Sequence, residues 1–167
     1  MILALDVHYK AAYAKTVVLL FDTWQSETYA GLVEVNTENV AEYVPGAFYK
    51  RELPCILEAL QQIDRSTIDV IVIDGYVYVD NEHSYGLGGH LYAALDKKIP
   101  VIGVAKTSFQ SNKATVVAVF RGASNNPLYV SAIGYDLEQA AQDVREMYGD
   151  YRLPYLLKLM DQKTKED

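Results

Sequence analysis

Apolar positions along this chain fall in short runs whose period switches between that of a strand and that of a helix. Ile2 to Val7, Thr16 to Phe21 and Tyr29 to Val35 are β-favouring runs rich in Val, Leu and aromatic residues. Turn-like Asp22, Ser26 and Glu27 separate the last two, so the chain is predicted to open as an antiparallel meander. From Arg51 to Ile63 the apolar positions Leu53, Ile56, Leu57, Leu60 and Ile63 recur at helical spacing. Val70 to Ile73 is a continuous apolar run, the pattern of a strand buried on both faces, and it stops at Asp74-Gly75. A helical stretch from about Gly86 to Lys97 leads to a second such strand, Val101 to Val104, which ends at Lys106. Thr115 to Phe120 and Leu128 to Ser131 predict a hairpin, and two helices follow, from about Asp136 to Met147 and from Pro154 to Gln162. This order predicts an α/β fold with a mixed sheet, an antiparallel meander followed by parallel strands, and helices on both faces. With no internal repeat, low-complexity tract or linker, residues 1–167 read as one domain.

Composition narrows the class. Half of the residues are apolar, which argues against disorder. The lone cysteine, Cys55, has no internal disulfide partner, so the expected location is a reducing cytoplasm. No stretch approaches the roughly 18 apolar residues of a membrane helix. The opening apolar run ends at Asp6 without a basic flank or cleavage site, so it reads as a strand and not as a signal peptide. The formal charge of −7 argues against broad electrostatic capture of nucleic acid, so any such contact must be local. The acidic excess is either solubilising surface or, in part, metal ligands whose charge a cation offsets.

Three acidic residues stand in places where a charge is informative. Asp6 lies within or at the end of the first apolar strand, where an unpaired carboxylate is costly. Asp74 ends the most hydrophobic strand, and sites in open α/β sheets favour the carboxyl ends of strands. Glu52 falls in the first turn of its helix, where it also suits the helix dipole. Taken singly, Asp74-Gly75 is equally a turn and Glu52 a helix-capping residue. Together they form a hard-oxygen donor set that selects Mg²⁺, with Mn²⁺ as a substitute, over zinc. His8, His83 and His90 lack metalloprotease spacing. Lys106 is either a surface lysine after a strand or a cation beside a reacting phosphate. Gly86-Leu87-Gly88-Gly89 lacks the Lys-Ser/Thr of a phosphate-binding loop and reads as close packing at a helix start. Tyr43-Val44-Pro45-Gly46 is a turn whose aromatic-aliphatic-proline tip has the character of a wedge between stacked bases, although a packed Tyr43 is the alternative.

In chain order these residues resemble the endonuclease V family, which nicks nucleic acid near deaminated adenine (inosine). The resemblance is carried by Leu5-Asp6-Val7-His8-Tyr9, Tyr43-Val44-Pro45-Gly46 leading to Arg51-Glu52, Val72-Ile73-Asp74-Gly75, and Gly86-Leu87 with His90. It continues through Ile99 to Lys106, Val130-Ser131 and Arg152-Leu153-Pro154. It implies a ribonuclease H-like fold, Asp6 and Asp74 as metal ligands, Glu52 as a direct or water-mediated ligand, and Lys106 as a catalytic cation. Asp161 matches a position where the family often carries a further acidic residue or histidine near the metal. Tyr43, Val44 and Pro45 would be the strand-separating wedge. Gly46, Phe48, Gly75 and Gly86 are candidates for lining the base pocket, and Arg51 and His90 join the substrate side through their matched blocks.

One segment departs from the family pattern. Tyr76 to Ser84 reads YVYVDNEHS, one residue longer than usual, with His83 out of register, the neighbouring arginine absent, and Asp80 and Glu82 where the family has basic or neutral groups. Lys50 replaces the usual aromatic before Arg-Glu, and the usual N-terminal extension is missing. The implied function is a Mg²⁺-dependent endonuclease acting on inosine-containing DNA or RNA, with single-stranded or locally unpaired nucleic acid as the expected substrate and no membrane or obligate protein partner. A catalytically impaired, nucleic-acid-binding relative is the main alternative, and a hydrolase of a small phosphorylated molecule the third.

Overall fold

The computed structural model describes every residue except 41, 43, 46 and 48. Among the described residues seven strands form one sheet, in the spatial order Gly31–Glu38, Tyr13–Phe21, Ile2–Tyr9, Val70–Asp74, Val101–Ala105, Leu128–Ile133 and Val117–Val119. Strands β1 (Ile2–Tyr9), β2 (Tyr13–Phe21) and β3 (Gly31–Glu38) make the antiparallel meander, and β3 is an edge. Strands β4 (Val70–Asp74) and β5 (Val101–Ala105) run parallel to β1. Strands β6 (Val117–Val119) and β7 (Leu128–Ile133) form the hairpin, with β7 antiparallel to β5. Among the described residues four α-helices pack on this sheet: α1 (Tyr49–Leu60), α2 (Leu87–Ala94), α3 (Leu137–Arg145) and α4 (Tyr155–Lys165).

The side-chain alternation of the strands builds two cores. Leu3, Leu5, Ile71, Ile73 and Val101 face one side, where Cys55, Ile56, Ala59 and Leu60 of α1 and Leu91 of α2 cover them. Ile2, Ala4, Val70, Val72, Ile102 and Val104 face the other, beneath Ala140, Ala141 and Val144 of α3 and Leu156, Leu157 and Met160 of α4. The central strands are therefore buried on both faces, which accounts for their continuous apolar runs. No helix among the described residues is long and apolar enough to cross a membrane.

The crossover after β4 determines the shape of the site. Gly75 adopts φ +133° and turns the chain across the end of β5, and its N–H donates to the Val104 carbonyl at 3.0 Å. A Cβ on Gly103 would lie 2.6 Å from the Gly75 carbonyl oxygen, so a side chain there would push the crossover away. The glycines at the start of α2 are indeed close-packed: a Cβ on Gly88 would come 2.8 Å from Val77 Cγ2, and one on Gly89 2.4 Å from the Tyr85 ring.

Candidate active site

Asp6 lies inside β1, and its neighbour in the sheet follows from the register. Leu5 pairs with Ile73 across parallel β1 and β4, so one step further along the same register sets Asp6 beside Asp74. Neighbouring strands lie about 4.8 Å apart, and both carboxylates leave the sheet on the same face as Ala4 and Val72. On the next strand Asp74 pairs with Val104, and Lys106, two residues on, emerges on that same face. Lys106 Nζ lies 3.8 Å from Asp74 Oδ2 and 3.9 Å from Asp161 Oδ1, which α4 brings down over the strand ends. Asp161 Oδ2 in turn pairs with Lys165 Nζ at 3.0 Å, one helical turn along. Glu52 arrives from the opposite layer, on the first turn of α1.

The electrostatics show how closely these groups share one environment. Burial, then the charges of Asp74 and Glu52, push the Asp6 carboxyl up to about 7, although the Val7 N–H bonded to Asp6 Oδ1 at 2.8 Å and the Lys106 charge act the other way. Glu52 is likewise pushed up to about 7, by burial and then by Asp74, against the opposing charge of Arg51. Asp74 is raised by burial, partly countered by Lys106 and Lys165. Like charges held together in a partly desolvated site are a standing cost that a bound cation relieves.

A divalent metal suits this chemistry, since the donors are carboxylate oxygens at the ends of buried strands. Among the described residues no three His, Cys, Asp or Glu side chains already form a cage around one ion. The observation that fits the ion is the neighbouring pair of carboxylates with a third in their field. Asp6 and Asp74 would hold it, with Glu52 and Asp161 in the surrounding charge.

The other sequence-predicted residues spread around this centre. Arg51 does not point into open solvent: its guanidinium stacks 3.5 Å above the Tyr9 ring centroid, and its buried Nε has no protein partner. His90, on α2, stacks on Tyr49 with centroids 3.6 Å apart and meets Tyr85 edge-on, and burial lowers its pKa. Gly86 caps α2 from within the fold, donating its N–H to the Val77 carbonyl at 2.8 Å. Val44 and Pro45 are exposed at a turn, whereas Tyr43, Gly46 and Phe48 lie outside the described residues.

Sequence reasoning missed two contributors. Lys165 joins the acidic centre through Asp161, and only the i,i+4 spacing on α4 hinted at it. Arg152, quoted only as part of a motif, donates from Nη2 to the Lys106 carbonyl and, at 2.7 Å, to the Pro127 carbonyl. It fixes the backbone that carries Lys106, a long-range pairing with no local signature.

The sheet order, the crossover at Gly75 and the acidic centre at the strand ends define a ribonuclease H-like protein. The chain belongs to the endonuclease V family, whose sequence profile matches residues 1–162. Endonuclease V of Thermus thermophilus is 29% identical over 182 residues, covering 95% of this chain and 78% of that one. The solved structure of the Bacillus subtilis endonuclease V is similar with a TM-score of 0.75 at 23% identity, covering 98% of this chain and 77% of that one. The Ciona intestinalis endonuclease V, in complex with a 24mer DNA containing an inosine followed by a ribo-adenosine, gives a TM-score of 0.78 at 18% identity, covering 98% of this chain and 84% of its own.

The position of Lys106 leads to a kinetic expectation. Its ammonium shares two carboxylates now, and a phosphate entering the centre would compete for it. Lys106→Met should lower turnover by roughly 10²- to 10³-fold, the usual effect of removing one preorganised charge from a transition state. Substrate affinity, measured separately under chelation, should change little. Equal losses in binding and turnover would instead make Lys106 a general phosphate contact.

Proposed function

We propose that this chain is a divalent-metal-dependent endonuclease that hydrolyses a phosphodiester near inosine in single-stranded or locally unpaired DNA or RNA. The observation that carries the reading is the β1–β4 register, whose next step past Leu5 and Ile73 sets Asp6 beside Asp74, with Lys106 Nζ 3.8 Å from Asp74. Membership of the endonuclease V family and the inosine-containing DNA held by the Ciona relative supply the substrate class. When bound, Mg²⁺ or Mn²⁺ supplies Lewis-acid stabilisation of the phosphate and activates water.

The chain's own residues do the rest. Asp6 and Asp74 would hold the ion, and Glu52 faces the same centre from the α1 side. Lys106 presents its charge to the phosphate from the end of β5, its backbone held by Arg152. An inosine pairs weakly, so extruding it from a stack costs less than extruding an ordinary base. The exposed Val44-Pro45 turn supports a wedge at that point, with Tyr43 beside it in sequence.

The departing segment bears on strand preference. Asp80 Oδ1 accepts the N–H groups of Glu82 at 3.0 Å and Ser84 at 2.9 Å, so this carboxylate closes its own loop. Asn112 Nδ2 donates to the Tyr78 carbonyl at 2.8 Å, and the Asn81 side chain accepts the Ala114 N–H at 2.9 Å, which ties the loop to the segment after β5. A fixed loop bearing Asp80 and Glu82 would repel a duplex more than a single strand, since the duplex carries the denser charge. Asp80→Asn with Glu82→Gln keeps the oxygen acceptor in the turn and removes both charges. That double variant should bind inosine-containing duplex several-fold more tightly and the single strand about as before. Equal cleavage of duplex and single strand by the unaltered protein, unmoved by the double substitution, would refute the strand preference.

A further inference from the structure

The connection between α3 and α4 is built around one buried cation. Arg121, only 6% exposed, follows β6 and donates to five carbonyls of that connection: Arg145, Met147, Gly149, Tyr151 and Arg152. A guanidinium has five N–H groups, and here each finds a carbonyl within one stretch of chain. The Tyr155 N–H closes the loop on the Tyr148 carbonyl at 2.9 Å. Gly149 takes φ +118° within it, and a Cβ there would sit 3.0 Å from the Tyr155 nitrogen. This loop is preorganised, although its outward side chains are largely uncovered.

Those side chains are tyrosines. Tyr151 is 75% exposed, the most exposed large hydrophobic side chain among the described residues, and Tyr148 and Tyr155 remain 44% and 45% exposed. Tyr148 and Tyr155 meet edge-on with centroids 5.7 Å apart, and Lys158 Nζ lies 5.9 Å from the Tyr151 ring centroid. They border a cleft of about 320 Å³, which also receives Asp150. A second cleft, of about 640 Å³, shares Tyr151, Leu153, Lys158 and Gln162 with the first and continues to Arg152, Asp161 and Lys165. The tyrosines are thus continuous with the acidic centre along one side of α4. From Tyr155 to Asp161 is six residues, about 9 Å of helix rise, the length of roughly three stacked nucleotides.

We propose that Tyr148, Tyr151 and Tyr155, with Lys158, form a stacking platform for a single-stranded stretch of substrate running along α4 from the acidic centre; this rests on the nuclease reading above. The platform combines what such strands require: aromatic faces for bases, and cations for the backbone. Lys158, Arg152 and Lys165 provide local positive charge against Asp150 and Asp161, in a protein whose overall charge of −7 would otherwise repel a strand. The loop's rigidity lowers the ordering cost of binding. Tyrosine faces accept any base, so the platform adds affinity without adding sequence preference.

The test compares binding of two single-stranded oligonucleotides, each with a central inosine, in the presence of a chelator. One has arms too short to reach the tyrosines, the other arms several times longer. The unaltered protein should bind the long strand at least about tenfold more tightly. Tyr148→Ala with Tyr151→Ala should collapse the ratio towards one, whereas Tyr151→Phe, which keeps the aromatic face, should retain it. Thermal melting checks that the exposed substitutions leave the fold intact. A ratio near one in the unaltered protein, or a ratio that survives in the double alanine variant, would overturn the platform. Inosine-free strands of both lengths run alongside separate the length dependence from recognition of inosine, so the platform and the nuclease reading fail independently.

Discussion

Asp74→Asn is expected to lower metal-dependent cleavage by roughly 10³-fold or more while making the metal-free protein more stable above pH 7. Both effects come from one carboxylate. Asp74 stands beside Asp6 across the β1–β4 register and within the field of Glu52, and its charge raises the pKa of both. An asparagine there would withdraw an anionic ligand from the proposed ion and remove a repulsion from the metal-free fold. A purely structural turn residue at Asp74-Gly75 would behave differently, losing stability without a selective loss of cleavage. The measurement pairs single-turnover cleavage with thermal melting at pH 8. Full cleavage by the variant, or a lower melting temperature without metal, would count against the assignment.

The second large effect is a pH-dependent stability that metal removes. Asp6 and Glu52 titrate near 7 in the folded protein, against ordinary values of 3.8 and 4.5. A carboxyl with a raised pKa contributes stability that is complete below its ordinary value and is lost as pH rises through the folded one. The metal-free protein should therefore become less stable between about pH 4 and pH 7, and remain so above. At about 1.4 kcal/mol per pKa unit, reduced by solvent and by sharing within the set, the loss is on the order of a few kcal/mol. For a domain of this size that is a fall of roughly 10 °C in melting temperature. Mg²⁺, bound by the charged carboxylates, should restore most of it at pH 8 and little at pH 5. Melting curves at the two pH values, with and without Mg²⁺, provide the check. A flat profile, or equal stabilisation at both values, would show that these carboxylates do not bind the ion as a set.

Much of the fold was legible because burial on both faces leaves a simple trace. Val70 to Ile73 and Val101 to Val104 read as interior strands, and both lie in the middle of the sheet. The element order matched throughout, and Asp74 and Lys106 stood out as polar residues ending apolar runs. Ends were less legible. The first helix was expected to reach Ile63 and stops at Leu60, because Ile63 keeps the apolar spacing while the chain has already turned towards Asp64. The second was expected to reach Lys97 and stops at Ala94, since Asp96 and Lys97 take positive φ. Edge strand β3 begins and ends later than its apolar run, at Gly31 and Glu38, because pairing with β2 carries it through Asn36 and Thr37.

The acidic cluster was legible in the sequence, and its supports were hidden. An aspartate inside a strand signals chemistry because burying it is costly. The Arg121 clamp, the Arg152 bond to the Lys106 carbonyl and the reach of Lys165 to Asp161 leave no comparable trace. Each joins residues whose individual chemistry is unremarkable and whose meeting depends on the assembled fold. Asp80 shows the converse: it stood out as a charge where the family has basic or neutral groups, and the structure also gives it two backbone N–H groups to hold.

The most direct test of the central claim is to map the cut. The protein is incubated with single-stranded DNA and RNA carrying one inosine, with Mg²⁺ and with chelator, and the product ends are resolved at nucleotide level. The account predicts a metal-dependent cut at a fixed position near the inosine, absent under chelation and absent when adenine replaces inosine. Binding without any metal-dependent cut in either strand type would contradict it.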